Sequence, residues 1–201
     1  MQHITAPAIV CATKLHGETG VIVRLLTEKN GLIAGYVAGG RGRNLRPVLI
    51  PGNAVSAELT YRSENQLPSA RIELVTSRGP WLGEPLASAG ISWATALTAA
   101  ALPEHQAYPS LWSALSALLD AICMAPSARG WAAALAGYEV LLLREMGYGG
   151  APDLPDADDF PAVLALLARI GPQIAGHALA ERRADVMGAR AVLIDRLARI
   201  S

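Results

Sequence analysis

Between about residue 4 and residue 78, apolar and polar positions alternate in short runs broken by glycine, asparagine and proline. That is the period-two pattern of half-buried strands and turns. Over 54–62, Val55, Ala57, Leu59 and Tyr61 fall on one face and Ser56, Glu58, Thr60 and Arg62 on the other. Segments 9–15, 21–27, 32–38 and 71–76 read the same way, so five strands are predicted. Asn30-Gly31 predicts a type I′ hairpin between the second and third, because both residues tolerate the positive φ such a turn needs. A looser turn is expected over 63–69. Five short strands with no helix long enough for a βαβ unit suit a small OB-fold barrel, with an SH3-like barrel as the other small-barrel option.

After Pro80 the chain becomes rich in Ala and Leu and the period changes to that of helices. Leu111, Leu115, Leu118 and Ile122 form one apolar stripe, with Pro109 near the first turn, where its missing N–H costs nothing. Trp131, Leu135, Tyr138, Leu142 and Met146 form a second, with Ser127 as the expected N-cap and Gly147 as the stop. Residues 147–159 combine glycine, proline and four aspartates into an expected exposed connection. Shorter helices are predicted at 161–170, 172–183 and 188–199. The expected architecture is α+β: a five-stranded OB-fold domain over 1–79, then an all-helical domain over 80–201.

Composition narrows the setting. With 52% hydrophobic residues the chain can bury a core without covalent staples. Cys11 and Cys123 lie far apart with no partner at metal-ligand spacing, which argues against a disulfide framework or a cysteine zinc site. No basic segment followed by an apolar one opens the sequence, and no run approaches the length of a membrane span. A reducing, cytoplasmic setting is expected. The formal net charge is zero, yet residues 1–80 carry nine Lys/Arg against five Asp/Glu, and the remainder eight against twelve. A polyanion would therefore meet the N-terminal half.

Within that half, Gly39-Gly40-Arg41-Gly42-Arg43-Asn44-Leu45-Arg46-Pro47 places three arginines in six residues, separated by residues that favour neither strand nor packed helix. Guanidinium groups engage phosphates through paired N–H donors, and glycines let backbone amides approach the same anion. On a barrel rim such a loop can contact a DNA backbone. The residues alone fit equally a solvated turn that aids solubility. Arg24 on a polar strand face, with Lys14 and Lys29 near strand ends, could extend the patch, although each also reads as ordinary surface charge. Tyr36 and Tyr61 offer faces on which bases stack, but their strand positions favour core packing.

Catalytic patterns are missing from the sequence. There is no Gly-x-x-x-x-Gly-Lys-Ser/Thr phosphate loop, and His3, His16, His105 and His177 are scattered. Asp153, Asp156, Asp158 and Asp159 lack the glycine and terminal glutamate of a calcium loop, so they read as a solvated linker. Neither enzymatic activity nor a cofactor is expected. Trp81, Trp93, Trp112 and Trp131 read mainly as core, with one or two available to line a peptide groove.

With these residues in view, the chain resembles the RecO family. The match runs through His16-Gly17-Glu18-Thr19, Leu26-Thr27-Glu28-Lys29-Asn30-Gly31 and Val37-Ala38-Gly39-Gly40-Arg41-Gly42-Arg43. It continues with Arg46-Pro47-Val48-Leu49 and Pro51-Gly52-Asn53, and the helix Tyr138–Tyr148 fits the family's Glu-x-x-Leu-Leu-x-x-x-Gly-Tyr pattern. The resemblance implies an OB-fold and a helical domain in a recombination mediator. Such a mediator binds single- and double-stranded DNA, anneals complementary strands and, with RecR, helps RecA displace the single-stranded DNA-binding protein at the nucleoid. Carried over by position, Arg41, Arg43 and Arg46 would be DNA contacts. Two departures stand out: residues 149–159 hold a short Asp/Pro connection where many relatives carry a cysteine-based zinc insertion, and the loop is poorer in cations than is usual in the family. The alternative is an interaction adaptor whose helical half binds a partner peptide while the barrel adds little DNA affinity.

Overall fold

The computed structural model describes residues 2–63, 66–148, 152–179 and 184–200, and the chain divides into two compact units. One comprises the chain up to Pro80 together with Leu102–Trp112; the other comprises Trp81–Ala101 and the chain from Ser113. The expected turn at 63–69 and connection at 147–159 include residues 64–65 and 149–151, which lie outside the described ones.

The first unit is an OB-fold. Strands β1 (Gln2–His16), β2 (Gly20–Thr27), β3 (Gly31–Val37), β4 (Ala54–Tyr61) and β5 (Ser69–Thr76) close in the order β1-β2-β3-β5-β4, and β4 returns to β1. β1 serves both neighbours by changing partner along its length. Its residues Gln2–Ile9 pair with β4 and Ala8–His16 with β2, and the register shifts between Val10 and Ala12. Such a shift bends and twists a strand, as barrel closure requires. The alternating positions Val21, Val23 and Leu25 of β2 and Val55 and Ala57 of β4 point inward and are almost wholly buried.

Two strand-level expectations need correction. The β2–β3 turn is not the two-residue type I′ form, since Asn30 has negative φ. Three residues, Glu28, Lys29 and Asn30, separate the paired Thr27 and Gly31, and only Gly31 (φ +69°) is left-handed. Thr27 Oγ1 fixes this geometry, accepting from Asn30 N–H at 3.2 Å and donating to the Gly31 carbonyl at 3.0 Å. Tyr36 does not pack in the core. It lies on the outer face between inward-facing Gly35 and Val37, covers Gly20 and meets His16 edge-on at 5.8 Å.

The second unit is helical, with α1 (Pro85–Ala101), α2 (Pro109–Met124) from Ser113 onward, α3 (Arg129–Glu145), α4 (Phe160–Gln173) and α5 (Ala184–Ala198). The expected stripes are buried, from Leu111 through Ile122 on α2 and at Trp131, Leu135, Tyr138 and Leu142 on α3. Ser127 is not the N-cap of α3. Ala128 is, and no side chain caps it. The separate helix expected over 172–183 is absent from its described part: α4 runs through Pro172 into a π-turn over Ile174–Ala178. Asp159 caps α4, its carboxylate accepting from Ala162 N–H at 3.0 Å, and Asp156 likewise receives Asp158 N–H. Two of the four linker aspartates thus satisfy main-chain donors.

A buried ion pair organises this unit. Glu139 of α3 accepts Trp93 Nε1–H of α1 at 2.7 Å and both Nε (3.0 Å) and a terminal nitrogen (2.7 Å) of Arg190 on α5. That terminal nitrogen also donates to the Leu167 carbonyl of α4 at 2.7 Å, so four helices share one polar knot. A side chain at Gly171 would strike the guanidinium, and glycine there lets α4 come close. Burial pushes the Glu139 carboxyl up, and Arg190 opposes the shift. Removing one partner strands a buried charge, so Arg190→Met should cost about 3–5 kcal/mol in urea unfolding, and Glu139→Leu/Arg190→Met should recover most of it. A single-variant cost under about 1 kcal/mol would contradict the organising role.

Candidate nucleic-acid interface

The arginine segment lies between β3 and β4 as a succession of tight turns over residues 38–49. Its backbone bonds to itself, with Gly42 N–H reaching the Gly39 carbonyl at 2.8 Å, Arg46 N–H reaching Gly42 at 2.9 Å and Leu49 N–H reaching Leu45 at 3.1 Å. The last two close turns of α-helical size, which puts Leu45, Val48 and Leu49 on one side. Leu49 joins the barrel core and Leu45 and Val48 pack against it. These apolar residues plug the barrel end, and Arg41, Arg43 and Arg46 are exposed.

Both ends of the segment are tied down. At its start, Arg41 N–H donates to the Thr19 carbonyl at 3.1 Å, and the Arg41 guanidinium to the Glu18 carbonyl at 2.7 Å. At its end, wholly buried Asn53 donates from Nδ2 to the carbonyls of Pro47 (2.9 Å) and Val48 (3.0 Å) and accepts Arg78 N–H at 2.8 Å. The Asn53 carbonyl receives Val10 N–H at 3.0 Å, at the bend of β1. Among the described residues, none of the three arginines forms an ion pair with a carboxylate. Together with Pro47 and Ile50 they line a depression of about 590 Å³. Charged, fixed and open, this surface can bind anions through guanidinium donors.

The other candidate cations are not gathered there. Arg24 points outward from mid-β2 and pairs with Glu104 at 3.0 Å; Glu104 belongs to the 102–112 segment, which runs beside the start of β3. Lys29 occupies the β2–β3 turn, at the opposite end of β2 from Arg41's contacts, roughly 23 Å away at strand spacing. Lys14 is exposed on the outer face of β1, paired with Ile22 and nearer the loop. Asn53 and Arg78 carry the loop's position. Arg78 stands next to Gly79-Pro80, where the sequence signals only a chain break, so its burial was not legible.

An OB-fold barrel with a cationic loop seated in its mouth defines the class. Residues 1–78 match the model for the recombination protein O N-terminal region, and residues 82–154 that for its C-terminal region. The chain is 43% identical over 144 residues to DNA repair protein RecO of Phenylobacterium zucineum, covering 71% of this chain and 58% of that protein. For the protein of the same name from Caulobacter vibrioides the figures are 42%, 71% and 58%, and for that from Rhodospirillum centenum 42%, 72% and 57%. The chain belongs to the RecO family. The matches span under three fifths of these relatives' length.

Replacing Asn53 by alanine removes the partner of one buried main-chain group, Arg78 N–H, and of two partly buried carbonyls, so Asn53→Ala should cost about 2–3 kcal/mol in chemical unfolding. It should also speed amide exchange at Val48 and Leu49. A loss below about 1 kcal/mol with unchanged exchange would mean that the loop is held by its apolar plug alone.

Proposed function

We propose that this chain is a non-enzymatic DNA-binding protein of recombinational repair, in which Arg41, Arg43 and Arg46 meet the phosphate backbone. The observation that carries the reading is the exposure of three guanidinium groups on a loop fixed at both ends to the barrel. A loop held in place before binding loses little conformational entropy when it meets a polyanion. Family membership supports the assignment to DNA repair, since the matched relatives bear that name. In the fuller role the protein anneals single strands and, with RecR, helps RecA replace the single-stranded DNA-binding protein. Its place would then be at the nucleoid of the cytoplasm. Among the described residues no helix is long and apolar enough to cross a membrane.

Lys14, on the outer face of the same β1–β2 hairpin, is the accessory candidate. Lys29 and Arg24 are weaker candidates, the first for its distance and the second for its ion pair with Glu104. The helical unit is the natural place for protein partners.

A salt titration of oligonucleotide binding tests the reading. Each phosphate contact on single-stranded DNA contributes about 0.7 to the slope of log K against log salt, so Arg41→Ala/Arg43→Ala should bind more weakly, with a slope shallower by roughly 1.4. Unchanged affinity and slope would remove the loop from DNA binding and favour the adaptor alternative.

A further inference from the structure

Beside the arginines, outside the apolar plug, a space is left open. β1 pairs with β4 only as far as Ile9, but with β2 as far as His16, so the β1–β2 hairpin overhangs the closed barrel. On that overhang Thr13 faces Val23 and Leu15 faces Val21, and Val21 and Val23 belong to the inward side. Thr13 and Leu15 therefore occupy inward positions with no opposite wall, and Leu15 is 65% exposed. Alternation along a strand would bury such a leucine in a complete barrel.

The space in front of these residues is a cavity of about 400 Å³, within the range of small-ligand pockets. Its floor is apolar, made by Leu15, Val21 and Leu49, and Thr13 adds a hydroxyl. Gly40 forms part of the wall, and a Cβ there would meet Val21 at 2.9 Å and Leu49 at 3.1 Å. Arg41 and Arg46 stand at the cavity, and both also line the larger depression next to it. A slot of mixed lining, with an apolar patch at Leu15, Val21 and Leu49 and cations at its edge, matches one nucleotide, a flat apolar-faced base carrying a phosphate on its sugar.

We infer that the space between the overhanging β1–β2 hairpin and the arginine segment receives one unstacked base of a single strand against Leu15, Val21 and Leu49, while Arg41 and Arg46 hold the flanking phosphates. The inference rests on the DNA-binding reading above and adds a base-dependent component to it. A base in a duplex is paired and stacked on both faces, so its entry costs the unstacking of the helix. The site therefore favours unpaired strands, and its apolar part does not vary with salt as the phosphate contacts do.

Fluorescence anisotropy should be measured for an oligothymidylate, for an abasic strand of the same length and for a duplex. Wild type should prefer the oligothymidylate over the abasic strand by roughly fivefold, from apolar burial of the base. Leu15→Ala, at an exposed position whose change spares the fold, should lose most of that preference. It should leave the abasic affinity and the salt slope unaltered, while the volume-conserving Leu15→Met keeps the preference. Equal binding of the two strands by wild type, or a preference that survives Leu15→Ala, overturns the inference. If in that case Arg41→Ala/Arg43→Ala still weakens binding to both strands, the DNA-binding reading stands without the pocket. Failure of wild type to bind any of the three overturns both.

Discussion

The buried carboxamide of Asn53 holds the arginine-bearing end of the barrel together. It joins the last turn of the arginine segment to the residue that leaves β5, while the Asn53 main-chain carbonyl ties the same residue to the bend in β1. The Asn53 side chain is itself wholly buried and costly to leave unpaired, so loop and barrel adopt one arrangement. The apolar side of the segment adds burial, since Leu45, Val48 and Leu49 can reach the core only when Arg41, Arg43 and Arg46 face away. Cations are thus held in water by groups that are themselves dry.

The helical unit follows a related rule with opposite polarity. Around Glu139 and Arg190 a charged pair is enclosed, and its hydrogen bonds to Trp93 and Leu167 make the enclosure tolerable. Such a pair specifies which helix faces meet, even where a hydrophobic replacement would be as stable. Glu139 is also the glutamate of the Glu-x-x-Leu-Leu-x-x-x-Gly-Tyr pattern.

Much of the barrel was legible because its strands are buried on one side, and a one-sided strand writes its period into the sequence. The β2–β3 loop was misjudged because Asn30-Gly31 is compatible with two turn geometries, and Thr27, whose hydroxyl selects between them, lies outside the pair. The strand position of Tyr36 suggests core packing, but its neighbours Gly35 and Val37 already take the inward positions. α1 escaped notice for another reason. Buried nearly all round by Ala87, Ala89, Ile91, Trp93, Ala94, Leu97 and their neighbours, it has no polar face and so no stripe. At the candidate site the arginines were visible at once, and the i, i+3, i+4 spacing of Leu45, Val48 and Leu49 could have announced the plug. The roles of Asn53, Arg78 and Leu15 depend on long-range pairing, which local pattern does not encode.

In the proposed function the cations between β3 and β4 form the surface that meets the phosphate backbone. The most direct measurement follows the Nε–H signals of individual arginines by NMR as a single-stranded oligonucleotide is added to the whole chain. The account predicts saturable shifts at Arg41, Arg43 and Arg46, little change at Arg24 in its ion pair, and none at buried Arg190. Shifts confined to arginines of the helical unit, with the loop signals unmoved, would contradict it.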